Sequence, residues 1–362
     1  MEEALFHKAI DLDGLPRACP ARPRVAARIK AVPEDFVVEE VPAYEPEGAG
    51  AHLFLWVEKR DCPGGDMLRQ LAAALRIDPR DVGTAGTKDR RAVTRQWVSV
   101  PAVCEPGVAT LDIDRVRVLE VRRHGNKLRL GHLRGNRFRI LLRGADPAAA
   151  GALAATGATL SESGFFNLYG SQRFGRGGET LLRGLDMLGG VAARRMGGFE
   201  RRMTVSAVQS ALFNLYVAER VGRGLAGTAL AGDLMAKTET GGLFRVEDVA
   251  AEQARLDSRE IRVTGPMFGH KMMTPRADAL ALEASVLDAA GIETAAFKVF
   301  QGLAEGTRRP IRVWPSDLAV AAREDGIELS FFLPKGSYAS VMLREFVESA
   351  DAAEDAGASD SV

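Results

Sequence analysis

The spacing of apolar residues changes twice along this chain, and that change constrains the fold more than any single motif. Through the first 143 residues the pattern is that of strands: "DFVVEEV", "HLFLWVEK", "RQWVSV", "VRVLEVRR", "NKLRLGHL" and "NRFRILLR" carry β-branched or aromatic residues with partial alternation. In the last of these, Phe138, Ile140 and Leu142 share one face and Arg137, Arg139 and Arg143 the other. One helix interrupts, "MLRQLAAALRI", with Asp66 placed to cap it and Pro79 to end it. From about Pro147 the period becomes helical. "PAAAGALAATGATLSES" is a helix weakened by glycines. "VSAVQSALFNLYVAERVGRG" is a firmer one, with Val205, Val208, Leu212, Leu215 and Tyr216 on its apolar stripe. "ADALALEASVLDAAG" is also helical. Strands return with "IRVWP", "LAVAARED" and "IELSFFLP", and a last helix starts near Ser340. Strands, then helices, then strands predict a second domain inserted within a first, whose sheet the C-terminal segment completes.

The 362 residues, 46% hydrophobic, suffice for one large or two ordinary domains. No apolar run approaches the ~20 residues of a membrane helix. The start, "MEEALFHKAIDLDGLP", is acidic and mixed rather than a signal peptide, so a cytoplasmic protein is expected. Cys19, Cys62 and Cys104 are scattered and odd in number, which predicts reduced thiols. The five histidines show no ligand spacing, so no metal and no cofactor is expected. The formal net charge is zero, but it is unevenly spread. Residues 349–362 are acidic and rich in small residues, and are expected to be disordered. Residues 122–143 contain no acid at all, which predicts a basic face suited to nucleic acid.

Within "GTAGTKDRRAVTRQW" the one acid, Asp89, stands among Lys88, Arg90, Arg91 and Arg95. The glycines allow close backbone approach, but the spacing is not that of a phosphate-binding Walker loop. Two readings stand: a turn with a surface ion pair, or a nucleophile in a pocket built for a polyanion. A nucleophilic carboxylate must start ionised, which surrounding cations favour. "FNLYGSQRFGRGG" joins aromatics, glycines, Gln172 and Arg173 without an acid. Its aromatics could stack on bases or pack in a core. Asn136 in "GNRF" could read a base edge or occupy a turn. Phe36 in "PEDFVVEE" could be core, and Tyr338 in "LPKGSYAS" could be packed or face a ligand.

Taken in series, "PEDFVVEE", "AGTKDRRAVTRQ", "LRGNRFRI", "NLYGSQRFG" and "LPKGSYASVMLREF" resemble the signature segments of the TruD family of tRNA pseudouridine synthases, from about Lys30 to Phe346. The resemblance implies an α+β chain. Its catalytic domain would have the pseudouridine synthase fold, a curved, mixed and mostly antiparallel sheet with flanking helices, over residues 1–163 and 307–348. An inserted α/β TRUD domain would span residues 164–306. It implies that a tRNA uridine, in bacteria at position 13, becomes pseudouridine. Asp89 falls on the family's catalytic aspartate. Phe36, Asn136 and Tyr338 fall on positions around the target nucleotide, and Lys30 on a lysine near the aspartate. Position 338 is Tyr where similar bacterial chains often have Phe. Lys88, Arg90, Arg91, Gln172 and Arg173 are candidates for RNA contact.

The chemistry suits these residue types. A base stacked in RNA must be flipped out before its glycosidic bond can be broken and a C–C bond made. Unstacking costs a few kcal/mol, and one aromatic stack returns ~1–3 kcal/mol. Phe36 and Tyr338 are the candidate stacking faces, Asn136 the edge reader, and Lys30 the expected partner of Asp89. The competing reading is a non-catalytic RNA-binding or tRNA-folding factor. Against it, an anion beside phosphates only repels them. A zinc deaminase would need H-x-E and P-C-x-x-C, which are absent. tRNA is the expected partner, with no membrane and no obligate protein partner, and the chain is expected to be a monomer.

Overall fold

The computed structural model describes residues 3–190, 196–303 and 305–348; the tail expected to be disordered lies outside them. The chain divides into two compact units. A sheet unit comprises Ala21–Ser163, Trp314–Ala339 and the described residues from Leu343. A helical unit comprises the described residues through Pro20, Gly164–Val313 and Ser340–Met342. Residues 3–20 and 307–313, expected with the strand-rich domain, therefore cluster with the helix-rich one.

The helical unit opens with α1 (Glu3–Ile10). The sheet unit follows with β1 (Phe36–Pro42), β2 (His52–Arg60), α2 (Gly64–Leu75), β3 (Gly83–Thr84), β4 (Val93–Pro101), α3 (Glu105–Val108), β5 (Val116–His124), β6 (Leu133–Arg143) and α4 (Ala150–Ser163). Alternation puts Leu53, Leu55 and Val57 of β2 and Val98 and Val100 of β4 on one face, where they pack with Met67, Leu71 and Ala72 of α2. Phe54, Trp97, Leu128 and Leu133 form a second cluster. Two expectations need correction. Asp66 is not the cap of α2: Pro63 holds that position, and Asp66 sits in the first turn paired with Arg69, where its charge still favours the helix N-terminus. "NKLRLGHL" is a loop up to Leu133 rather than a strand. Gly131 takes φ 84° there, and the Leu128 N–H donates to Ser99 Oγ instead of to a neighbouring strand.

In the helical unit, β7 (Phe165–Phe166) and α5 (Glu179–Leu188) precede the long α6 (Gly198–Gly222). Next come β8 (Leu234–Lys237), β9 (Leu243–Arg245), α7 (Val249–Asp257), β10 (Ile261–Met267), α8 (Ala277–Ala290), β11 (Thr307–Pro310) and β12 (Arg312–Val313). Strands β8 to β11 make a four-stranded sheet in the order β11-β10-β8-β9, and β12 pairs with β7. These pairings, with the Asn214 side chain donating to the Ala9 carbonyl, are why residues 3–20 and 307–313 cluster here. Helix α6 is buried well beyond the expected stripe: Ala207, Ala211, Phe213 and Val217 are buried with it. Gln209, Ser210, Asn214 and Arg220 are buried on it too, so from Thr204 onward the helix is largely enclosed by its own unit rather than lying on it by one stripe. Gly184 lets α5 cross it, since a Cβ there would collide with the Thr204 carbonyl oxygen.

The chain then completes the first sheet with β13 (Ser316–Arg323) and β14 (Gly326–Pro334), followed by α9 (Ala339–Leu343). The order is β13-β14-β6-β1-β4-β2-β5, with β3 beside β4. Every pairing is antiparallel except β1 with β4, so the class is α+β with a mixed, mostly antiparallel sheet. The exception positions the site.

Candidate active site

Strands β1 and β4 pair over only three positions, Val37 with Val93 to Glu39 with Arg95. Farther along β4, its Ser99 and Val98 pair with Gly83 and Thr84 of β3 instead. Between these two partners the Trp97 N–H finds no neighbouring strand, and the Glu40 carboxylate accepts from it at 3.3 Å. Glu40 follows Phe36 and Val38 in phase, so a carboxylate stands where the next apolar residue would be. Its cross-strand neighbours put Asn136 of β6 and Gln96 of β4 beside it on the same face. Lys59 of β2 and Thr94 of β4 extend the polar patch.

The loop from β3 to β4, residues 85–92, carries Asp89 over this patch and is tied down at several points. Gln96 Nε2 donates to Thr84 Oγ1 at 2.9 Å, and Thr84 Oγ1 donates to the Gly86 carbonyl at 2.9 Å. Lys88 turns inward: its ammonium lies 2.9 Å from Glu40 Oε2 and donates to Asn136 Oδ1 at 2.8 Å. Lys59, fully buried, donates to the main-chain carbonyl of Asp89 at 2.5 Å. The Asp89 carboxylate itself points outward, 39% exposed, and accepts from Lys30 Nζ at 3.0 Å. Lys30 reaches it from a left-handed backbone position, φ 57°, with its ammonium 4.2 Å from the centre of the Phe36 ring. The short 3₁₀ turn between Lys30 and Phe36 is held by Asp35, which grips the Arg143 guanidinium at 2.7 and 3.0 Å. Burial opposes that charge, but the Arg143 fork and the Val32 N–H hold the Asp35 carboxyl below its usual range.

The charges are arranged so that the acid the solvent reaches is the one beside Lys30. Burial pushes Glu40 upward, opposed by Lys88. Burial pulls the Lys59 ammonium down to about 8 from 10.5, with the Asp89 charge opposing it. Between these values the unfolded chain binds more protons than the folded one, so Lys59 makes stability rise with pH there, by at most ~1.4 kcal/mol per pH unit. In Lys59→Met that contribution disappears. Urea unfolding should show the native protein gaining on the variant between about pH 8 and about pH 10.

Lys30, Asp89 and Asn136 are thus brought into one arrangement. The other predicted residues fall differently. The expected stacking face on Phe36 is not open: the residue is 3% exposed, covered by Lys30 and by the edge of Phe138. Tyr338 is half-buried in the link between β14 and α9. Lys88, expected to contact RNA, is turned inward, with its charge paired to Glu40 inside the protein. Arg90 and Arg91 are exposed beside Asp89. In the helical unit Gln172 is exposed, whereas Arg173 is half-buried and donates to Ser206 and, at 3.3 Å, to Ser210. The aromatics of that motif, Phe166, Tyr169 and Phe174, are core residues, and Asn167 bonds the Pro310 carbonyl and Arg309. The acid-free run 122–143 is no continuous cationic face either. Arg122, Arg123, Arg137, Arg139 and Arg143 each meet an acid from elsewhere in the sheet unit. The hollow beside Arg90, lined also by Asp61, Asp66, Asp114 and Arg115, does not include Asp89.

Sequence reasoning missed Glu40 and Lys59. Both were signalled by phase: each is a charge at an inward position of a strand whose other inward residues are apolar. Among the described residues no group of three or more His, Cys, Asp or Glu could hold a metal, and no helix is long and apolar enough to cross a membrane.

The fold has a solved counterpart. The crystal structure of a Methanosarcina mazei protein assigned as tRNA pseudouridine synthase D superposes with a TM-score of 0.75 over 94% of this chain and 95% of that one, at 22% identity. At that identity the likeness shows a shared fold, an α+β architecture built on a mixed, mostly antiparallel sheet. The sequence is narrower in what it matches. A family model described as tRNA pseudouridine synthase D (TruD) covers residues 18–199 and 191–346. A tRNA pseudouridine synthase D from Anaeromyxobacter sp. is 47% identical over 90% of this chain and 94% of its own length. That of a Thermus thermophilus strain is 42% identical over 90% of both. The chain belongs to the TruD family.

Proposed function

We propose that this chain isomerises a uridine of tRNA, the one at position 13, to pseudouridine, acting as a cytoplasmic monomer with Asp89 as the catalytic carboxylate. The observation that carries this reading is the placement of Asp89. Its carboxylate is open to a ligand and paired with Lys30 at 3.0 Å, while its backbone is held from beneath by Lys59. A turn with an incidental surface pair has no use for a fully buried lysine on its main-chain carbonyl, because burying that ammonium costs stability. The reaction breaks the bond from C1′ to N1 and forms one from C1′ to C5. The C5 proton leaves to solvent and N1 ends protonated, so no atom is gained or lost. All the groups gathered around Asp89 come from the sheet unit. The three thiols, all buried and free, fit a reducing compartment. The helical unit is proposed as the inserted TRUD domain, which would supply further tRNA contacts.

The test is tritium release from tRNA carrying C5-tritiated uridine. The native protein should release it, and a transcript with cytidine at position 13 should release none from that site. Tight tRNA binding without release from any transcript would instead support the non-catalytic RNA-binding reading. Arg90 and Arg91 are proposed to meet phosphate. Replacing either by Ala should weaken binding severalfold for all transcripts and reduce the slope of log affinity against log salt by about 1.

A further inference from the structure

Lys88 stands next to the proposed catalytic position, yet its side chain is turned away from solvent. Its side chain is 5% exposed, and its ammonium is shared between Glu40 Oε2 at 2.9 Å and Asn136 Oδ1 at 2.8 Å. Glu40 is itself fixed by the Trp97 N–H and has no exposed side-chain surface. An ammonium has three donors and no acceptor. The Asn136 amide can therefore meet it only through oxygen, and its NH2 end is turned the other way. That end receives no acceptor from the described residues, and Asn136 is half-buried rather than enclosed. Without the lysine the two ends of the amide would be interchangeable by a half-turn of the terminal torsion, and the side chain would offer a donor or an acceptor equally.

Resting on the proposed function, we propose that Lys88, anchored by Glu40, is a positioning residue that locks the Asn136 amide with its NH2 group toward the target base, and so selects uracil over cytosine. A fixed donor meets the C4 carbonyl of uracil. The same donor meets the C4 amino group of cytosine, donor against donor, and leaves both groups without a partner in a closed site. Glu40 keeps the buried ammonium compensated, and its own bond to the main chain at Trp97 ties the device to the sheet where β1 and β4 part.

The experiment uses protein carrying Asp89→Asn, which does not turn over, and compares its binding of two tRNA transcripts that differ only in uridine or cytidine at position 13. The expected preference for uridine is about tenfold. Adding the pair Glu40→Gln and Lys88→Met removes both charges together, which spares the fold an orphaned ion. The preference should then fall below about threefold while overall binding and thermal unfolding stay near the parent's. Asn136→Asp keeps the pairing with Lys88 but presents an acceptor, and should invert the preference. A tenfold preference that survives both changes overturns the proposal, as does the absence of any preference in the parent. Either outcome leaves tritium release by the native protein untouched. Failure of that release, seen without any variant, would remove the enzymatic reading itself. The Asn136→Asp arm retains the buried ion pair, so it decides the matter even if the charge-deleted pair folds poorly.

Discussion

Protein carrying Asp89→Asn should bind tRNA with close to native affinity and lose on the order of 10⁴-fold in tritium release, if the proposed role of Asp89 holds. The amide is nearly the same size as the carboxylate and can still meet Lys30, so the loop keeps its shape. The Lys59 bond goes to the main-chain carbonyl at position 89 and is unaffected by the exchange. What is lost is a negative charge and a basic oxygen pair at a point of the patch that faces solvent, 39% exposed. Glu40 cannot substitute, being buried against Lys88 and Trp97. Retained turnover above about a hundredth of native would remove Asp89 from the chemistry, since a bystander carboxylate costs little when neutralised.

Arg220→Met should unfold the helical unit at markedly lower urea, with a loss of about 3–5 kcal/mol. Arg220 is fully buried in α6. It donates to both oxygens of Asp233 at 2.9 and 2.6 Å, to Tyr216 Oη at 2.7 Å and to the carbonyls of Leu225 and Thr228. Removing it strands the Asp233 carboxylate and two carbonyls in an enclosed site. Burial already pushes the Tyr216 phenol up to about 12, which shows how poorly that interior tolerates a free charge. The double variant Arg220→Met with Asp233→Leu should recover part of the loss, because a pair removed together leaves no lone ion. Equal midpoints for Arg220→Met and the native protein would mean that water reaches the site.

The strands were legible wherever one face is apolar and the other polar. Phe138, Ile140 and Leu142 against Arg137 and Arg139 is such a case, and β6 runs as expected. "NKLRLGHL" has the same alternation, but it lies against β3 and β4 without forming a ladder, its Leu128 N–H taken by the Ser99 side chain, and alternation reports a buried face rather than a hydrogen-bonding partner. The course of α6 was readable, its enclosure was not, because a stripe count cannot see a domain closing round the far side. The boundaries at residues 20 and 313 depend on which strand accepts β12 and which helix receives α1, and these are long-range facts. At the site, Asp89 and Lys30 were marked by family resemblance, and geometry brings them together. Lys88 and Arg173 looked like surface cations because charge in a sequence does not reveal whether an acid or a hydroxyl is folded against it. Glu40 and Lys59 were visible in principle from strand phase. They went unnoticed because each stands in a run such as "VEEV" or "VEKR", where charged neighbours mask an inward-facing one.

The central strand β6 acquires its outer neighbour late. Nine consecutive residues of β14, Gly326 to Pro334, pair with Arg143 to Gly135, and Phe331 stacks on Phe138. A nascent chain must therefore carry a half-built sheet, its backbone donors and acceptors bare along β6, until more than 180 further residues have left the ribosome. For that interval the molecule offers a ready template for mispairing, and the arginines that line the open edge are what would hold other strands away from it.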